Sequence, residues 1–126
     1  MSDAEIRIAV EQFPELTDFG FGVFDGKKLS PEARRAELQR NRDLMFLPRS
    51  IQQFSAAKAW LQRQLRTKNV NKSAGSSYGL KHVAEKEIGY VTNGIFIAAA
   101  IATGFTIQRA NDGPNAWLNI SKRSRT

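Results

Sequence analysis

The sequence predicts a mostly helical α+β fold with four to five short helices and a C-terminal β-hairpin. Three observations predict this class. Capping residues and prolines open several apolar stretches of helical length, glycines follow some of those stretches, and the last apolar segments flank a turn-forming Asn-Asp-Gly-Pro sequence. The 126 residues, of which 41% are hydrophobic, favour one domain with a packed core.

The N-terminal region begins with a predicted helix over residues 3–13, capped by Ser2 or Asp3 and stopped by Pro14. Residues 18–26 then alternate glycine with aromatic residues and end in a turn-forming Asp-Gly pair. We interpret this stretch as a loop or short strand that lays three phenylalanines on the core, namely Phe19, Phe21 and Phe24.

Two helices are predicted in the middle of the chain. The first begins at 30–32, where a serine cap, a proline and an acidic first turn coincide, and it runs to about Leu47. The second begins at Ser50, which has capping-box spacing to a following glutamine, and it runs to about Arg66. The apolar stripe of the second helix consists of Ile51, Phe54, Ala57, Leu61 and Leu65.

Residues 67–77 are polar and contain glycine and serine, so we expect a mobile connection within the domain. A helix over residues 78–88 should follow it, with Ser76 or Ser77 as the cap and Gly89 just past the end.

The C-terminal part contains a second short helix, over residues 94–103, with Asn93 as its cap and Gly104 at its end. Two short helices across a glycine-bearing turn, followed by a hairpin, have the order of a winged helix-turn-helix. A recognition helix needs polar side chains, however, and residues 94–103 are apolar on all sides. We therefore predict a buried core helix here rather than a recognition helix.

Charge is distributed unevenly along the chain, whose net charge is +7. Residues 1–26 form an acidic, Phe-rich element with six acidic residues and one basic residue, whereas residues 27–72 carry 12 basic and three acidic residues. The basic helical part extends to residue 75, and residues 76–126 hold the helix pair, the hairpin and a basic tail. This asymmetry predicts either a basic surface that meets an anionic partner or helices whose solvated faces use Arg and Lys.

Nucleic acid is the expected anionic partner, with duplex DNA favoured. Arg35 and Arg42 lie seven residues apart and so share a helical face, with Arg34 beside it. Lysines and arginines in flexible segments suit phosphates, which give affinity without sequence information. The candidate nucleic-acid-binding residues are Arg34, Arg35, Arg42, Arg63, Arg66, Lys68, Lys72, Lys122, Arg123 and Arg125.

The composition argues against enzymatic chemistry. The chain has no cysteine and a single histidine, which excludes disulfides, thiolate-ligated zinc and a cysteine nucleophile. That histidine, His82, lies three residues before Glu85 and can touch it on a helix, but no nucleophile accompanies the pair. We predict no catalytic residue, metal, cofactor or enzyme activity. The acidic start and a longest apolar run of eight residues predict a cytoplasmic protein without a signal segment or membrane span.

Residues 76–124, which include SYGLKHVAEKEIGYVTNGIFIAAAIATGF and GPNAWLNISKRS, resemble an uncharacterised group of small proteins carried by proteobacterial plasmids, phages and integrative elements. The resemblance implies a context rather than an activity, namely an accessory protein that acts on host DNA, element DNA or host machinery. The expected function is therefore that of a small basic nucleic-acid-binding accessory or regulatory protein of a mobile element.

A second function stays open at the level of sequence. The chain could be a protein-binding inhibitor or adaptor that acts on a host defence complex, such as a CRISPR or restriction complex, or on other nucleic-acid-processing machinery. Basic inhibitors can occupy a nucleic-acid channel and acidic ones can imitate the nucleic acid, so the charge division permits either. The Phe-rich residues 13–24 would also suit a homodimer interface.

Overall fold

The computed structural model describes residues 2–24 and 28–122 and confirms the mostly helical α+β class. Within these residues the helices are α1 (Ser2–Gln12), α2 (Pro31–Asp43), α3 (Pro48–Gln62), α4 (Ser77–Ile88) and α5 (Asn93–Thr103). The strands are β1 (Leu16–Thr17), β2 (Gly20–Phe21), β3 (Ile107–Arg109) and β4 (Ala116–Leu118), and they form two antiparallel pairs, β1–β2 and β3–β4. No helix in the described part of the chain has the length and apolar character needed to cross a bilayer.

Helix α5 lies at the centre of the molecule, as its apolar composition predicts. Its residues from Asn93 to Ala100 are all buried, and it packs against α1, α3 and α4. The core around it includes Ile6 of α1, Phe54 of α3 and Leu118 of β4. Because this burial removes α5 from solvent, the prediction of a core helix is confirmed.

Helix α2 is polar and has no buried residue. The predicted start is confirmed, since Ser30 Oγ accepts a hydrogen bond from the Ala33 N–H at 3.1 Å and proline occupies the first position. The α-helix ends at Asp43, and residues 44–46 continue as one turn of 3₁₀-helix. Leu47 is extended because it precedes Pro48, a position that disfavours helical backbone.

Helix α3 begins at Pro48, so the predicted start at a Ser50 cap is wrong. Ser50 is buried instead, and its hydroxyl donates to the Leu44 carbonyl at 2.6 Å. The helix also ends at Gln62, earlier than predicted, and Leu65 is 63% exposed. The predicted apolar stripe therefore holds for its inner members but not for Leu65.

The segment predicted as a mobile connection runs along the C-terminal strand. The Thr67 N–H donates to the Asn119 carbonyl at 2.8 Å, and the Asn71 N–H donates to the Leu118 carbonyl at 2.9 Å. A 3₁₀-helix occupies Lys72–Ala74. These bonds attach the segment to the end of β4 and to the residue after it.

The two strand pairs are in contact, since the Phe21 N–H of β2 donates to the Pro114 carbonyl in the hairpin loop at 2.9 Å. The predicted C-terminal hairpin is confirmed, with Ile107 opposite Leu118, and its bend contains Asn111 and Asp112 at positive φ. In the β1–β2 pair, Phe21 is buried as predicted. Phe19 and Phe24 are 36% and 72% exposed, so the expectation that all three phenylalanines join the core is wrong.

Candidate functional site

Arg42, one of the predicted nucleic-acid contacts, points into the protein. Its Nη2 group donates to the carbonyls of Val10, Phe13 and Pro14 at 3.1, 3.3 and 2.6 Å, and Nε donates to the Leu16 carbonyl at 3.2 Å. Burial lowers the pKa of Arg42, an effect that the charge of Glu15 partly opposes. The guanidinium therefore joins the end of α1 to β1 through its Nε and Nη2 groups.

Three other predicted arginines have partners inside the fold. Arg34 pairs with Glu15, Arg63 pairs with Glu87, and Arg66 donates to the Thr103 carbonyl at the end of α5. The Arg66 guanidinium also lies 4.8 Å from the ring centroid of Phe105. These side chains stay partly exposed, so pairing restrains them without removing them from the surface.

The acidic N-terminal element is docked on the basic helices. In addition to the Arg34 pair, Glu5 of α1 accepts from Lys58 of α3 at 2.6 Å. Two of the acids between residues 1 and 26 are thus neutralised by basic residues of α2 and α3.

The remaining predicted contacts are spread over several elements. Arg35 on α2, Lys68 and Lys72 beside β4, and Lys122 after it are exposed. None of these four forms an ion pair with the residues that the structure describes. Arg123 and Arg125 lie outside the described residues.

An open cavity of about 700 Å³ lies between α2, the β1–β2 turn, α4, the α4–α5 turn and the hairpin loop. We call it the α4 cavity. Cavities of ~300–1,000 Å³ with aromatic walls and a few polar groups hold small ligands in many proteins. The sequence did not predict this site, because five separate segments contribute to it.

One wall of the α4 cavity is aromatic and is built around a buried lysine. Tyr78 and Tyr90 are 53% and 68% exposed, whereas Lys81 is only 5% exposed. The Lys81 ammonium lies 5.5 Å from the Tyr78 ring centroid and 5.0 Å from that of Tyr90. His82 meets Tyr78 edge to face, with centroids 4.5 Å apart. Cation–π contact with Lys81 thus holds two exposed rings in place.

Glu85 supports this wall from behind. Its Oε2 accepts from Lys81 at 3.0 Å and from the Val91 N–H at 3.1 Å, and Oε1 lies 2.9 Å from His82 Nδ1. Burial opposes ionisation of Glu85, but the hydrogen bonds from Val91, Lys81 and His82 outweigh it and lower the pKa of this carboxyl. The predicted His82–Glu85 contact is confirmed, and it orients the imidazole beside Tyr78.

Asn93 fixes the floor of the cavity. Its Nδ2 group donates to the carbonyls of Phe19 and Pro114 at 3.3 and 3.1 Å and to Asn115 Oδ1 at 3.0 Å. Its Oδ1 accepts from the Ser77 hydroxyl at 2.8 Å. The predicted cap of α5 is therefore displaced by one residue: Thr92 Oγ1 accepts from the Ile95 N–H, which leaves the Asn93 side chain to join four segments.

Two glycines allow the segments around Asn93 to approach closely. A Cβ on Gly94 would lie 1.8 Å from the Thr17 carbonyl oxygen, and a Cβ on Gly20 would lie 2.2 Å from the Pro114 oxygen. Gly20 also has φ of +125°, which glycine adopts without strain. The β1–β2 turn and the hairpin loop are thus packed directly against the start of α5.

Asp18 presents a carboxylate at the rim of this floor. Its Oδ1 accepts from the Thr92 hydroxyl at 2.8 Å, and its other oxygen forms no hydrogen bond with the described residues. Burial raises the pKa of Asp18, although the Thr92 hydrogen bond and the charge of Arg49 oppose the rise. The carboxylate therefore keeps an open acceptor position next to the cavity.

A smaller cavity of about 130 Å³ adjoins the first and shares Phe19 and Pro114 with it. Arg34 and Arg109 line this second space. Arg109 is held by hydrogen bonds to the Gly113 and Asp112 carbonyls and lies 5.6 Å from the Phe21 ring centroid. The first cavity has an aromatic lining and the second is lined by two guanidiniums and by Asp112, and we call the two adjacent cavities together the α4 groove.

Comparisons of the chain with models of protein families, with curated proteins and with solved structures found no match. Among the described residues, no cluster of three or more His, Asp or Glu side chains could hold a metal ion. The functional interpretation therefore depends on the chemistry of the α4 groove. One pattern in the sequence could have indicated it: Tyr78, Lys81 and His82 have the spacing of a single helical face.

Proposed function

We propose that the protein binds single-stranded nucleic acid in the α4 groove. The observation that carries the proposal is the joint lining of one open cavity by four rings, those of Phe19, Tyr78, His82 and Tyr90, next to a space lined by two guanidiniums. Proteins that bind single strands combine rings that stack on bases with cations that follow the backbone. The two adjacent cavities of the α4 groove offer both.

The exposure of the rings supports this function. Tyr78 and Tyr90 each keep more than half of their surface in solvent, although a buried ammonium and a hydrogen-bonded carboxylate hold the wall that they form. Stacking of a base on an aromatic ring contributes about 1–3 kcal/mol. A restrained ring loses less conformational freedom on binding than a mobile one, so the wall is suited to a ligand with flat faces.

The shape of the groove favours an unpaired strand over duplex DNA, the partner that the sequence predicts. A base can enter a recess only when it is not stacked in a helix. The helix that would read a major groove in a winged helix-turn-helix is α5, which is buried. Exposed cations such as Arg35, Lys68 and Lys72 would add sequence-independent attraction for phosphates.

The alternative function, a protein inhibitor or adaptor, gains no specific contact from the described residues. Imitation of nucleic acid by the acidic element would use its carboxylates, and two of its six, those of Glu5 and Glu15, are paired with Lys58 and Arg34. A role in a mobile element is an expectation that depends only on the resemblance of residues 76–124.

Fluorescence anisotropy tests the proposal, with labelled dT12, U12 and a 12-base-pair duplex titrated at several salt concentrations. We expect the single strands to bind more tightly than the duplex, with affinity that falls as salt rises. Tyr78→Ala and Tyr90→Ala should each weaken single-strand binding about tenfold. Leu65→Ala, a truncation of an equally exposed side chain outside the cavity lining, serves as the control.

Two results would overturn the proposal. One is the absence of single-strand binding at micromolar protein and low salt. The other is binding that the two tyrosine variants reduce no more than Leu65→Ala does.

A further inference from the structure

Asp18 and Asn115 both line the α4 cavity, together with Asn93, and offer opposite hydrogen-bonding groups. Asp18 has a carboxylate oxygen without a hydrogen bond, and Asn115 has an amide Nδ2 without one, in both cases among the described residues. Asn93 donates to Asn115 Oδ1 at 3.0 Å, and its neighbour Thr92 donates to Asp18 at 2.8 Å. The two open groups are therefore held on one rigid support beside the α4 cavity.

The chemistry of these groups restricts the ligand. An ionised carboxylate only accepts hydrogen bonds, so the ligand must donate N–H or O–H groups to Asp18. An amide nitrogen only donates, so the ligand must offer an acceptor to Asn115. The Lys81 ammonium is paired with Glu85 at 3.0 Å, and Asp18 forms no ion pair within 4.0 Å with the described residues, although the charge of Arg49 acts on it.

Among the bases, guanine matches this pattern best. Its Watson–Crick edge carries two adjacent donors, N1–H and the N2 amine, followed by the O6 acceptor. Adenine and cytosine present a single amino group there, and thymine and uracil present a single imide N–H. Each carboxylate oxygen can accept two hydrogen bonds, so Asp18 Oδ1 can take one guanine donor beside the Thr92 hydroxyl while the open oxygen takes the other. Paired contacts of this kind discriminate between bases.

We propose that the α4 cavity prefers guanine, with Asp18 accepting from its N1–H and N2 amine and Asn115 donating to its O6 atom. This inference rests on the proposed binding of single strands and adds the identity of the base. Tyr78 and Tyr90 would stack on the base and contribute to every sequence equally, whereas the two polar groups would supply the preference.

Binding to a set of matched oligonucleotides tests the preference. Each labelled strand has eleven nucleotides, with G, inosine, A, C or T at the central position and thymidine at the other ten. A single G per strand avoids four-stranded structures. We expect the G strand to bind about tenfold more tightly than the T strand. Inosine lacks the N2 amine, so its strand should bind between the two.

Two aspartate variants identify the residue responsible. Asp18→Asn keeps an oxygen for Thr92 but replaces an acceptor with an amide donor, so the ratio of G-strand to T-strand affinity should fall toward one. Asp43→Asn removes the same charge from the exposed end of α2, and it should keep the ratio of the wild-type protein. Thermal unfolding confirms that both variants are folded.

The possible failures are distinguishable. Equal affinity for all five strands, or a preference for G that survives in Asp18→Asn, overturns the guanine inference and leaves single-strand binding intact. Failure of the wild-type protein to bind any strand overturns the proposed function, and the guanine inference with it.

Discussion

Lys81 places its ammonium 3.0 Å from Glu85 Oε2 and 5.0 Å from the ring centroid of Tyr90. The same carboxylate oxygen accepts from the Val91 N–H at 3.1 Å, so one ion pair ties α4 to the turn that follows it. The lysine stem and charge lie beneath rings that face solvent. A buried cation thus maintains the aromatic wall on which the proposed binding site depends.

Lys81→Met should destabilise the protein. Methionine keeps the length of the side chain but leaves a largely buried Glu85 without its main cation, and loss of one partner of such a pair costs about 3 kcal/mol. Urea unfolding measures the difference. Arg63→Met is the control, because the Arg63–Glu87 pair is more than half exposed and should contribute less than about 1 kcal/mol. Equal losses for the two variants would contradict a structural role for Lys81.

Asp18→Asn should stabilise the protein at neutral pH. Because burial raises the pKa of Asp18 above its ordinary value of 3.8, the folded protein holds this proton more tightly than the unfolded chain does. The free energy of unfolding of the wild type therefore decreases as pH rises from the unfolded-state pKa to the raised folded-state pKa of Asp18. Above that interval this residue causes no further decrease. Asparagine cannot ionise and avoids this loss.

Thermal unfolding between pH 3 and pH 7 measures the effect. The advantage of Asp18→Asn should be greatest at pH 7 and should shrink as pH falls through the raised pKa toward 3.8. The contrary result is an Asp18→Asn variant that is less stable than the wild type at pH 7 and equally stable in acid. It would show that the surroundings stabilise the ionised carboxylate of Asp18.

Arg42→Ala and Arg35→Ala should separate structure from binding on α2. Arg42 donates to four backbone carbonyls, so its loss removes four hydrogen bonds, although the Phe13 carbonyl still accepts from the Leu16 N–H, and it should cost about 2–4 kcal/mol. Arg35 is exposed, and its removal should change stability by less than about 0.5 kcal/mol. Denaturant unfolding reports both values. A neutral Arg42→Ala would show that the internal bonds are unimportant and would restore Arg42 as a candidate for nucleic-acid contact.

Gly94→Ala and Gly79→Ala should have opposite effects. A Cβ at Gly94 would meet the Thr17 carbonyl at 1.8 Å, so alanine must separate α5 from the β1–β2 turn and should destabilise the fold by several kcal/mol. A Cβ at Gly79 meets nothing within 4 Å inside α4, where alanine should add about 0.5–1 kcal/mol. Tolerance of Gly94→Ala would disprove the close packing beneath the cavity.

Residues that are close in the sequence are sufficient to predict the elements that depend mainly on those residues. The hairpin follows from its turn residues, and the burial of α5 follows from a run of apolar side chains that leaves no polar face. The start of α3 was misplaced because two start signals compete two residues apart. Pro48 prevails, and Ser50 turns inward to the Leu44 carbonyl.

The cavity could not be predicted from local patterns, because its contacts join distant parts of the chain. Asp18 meets Thr92 across 74 residues, and Asn93 meets Pro114 across 21. Arg42 shows the same limit: helical spacing places it beside Arg35, but the carbonyls that it binds lie 26 to 32 residues earlier. Only tertiary structure reveals which cations remain available to a ligand.

The most direct measurement is a titration of the ¹⁵N-labelled protein with dT6, followed by two-dimensional amide NMR. Binding in the α4 groove should shift the backbone signals of Phe19 and Lys81 and the side-chain amide signals of Asn93 and Asn115. Shifts confined to the surroundings of Arg35, Lys68 and Lys72, or no shifts at a saturating concentration, would contradict binding in the α4 groove.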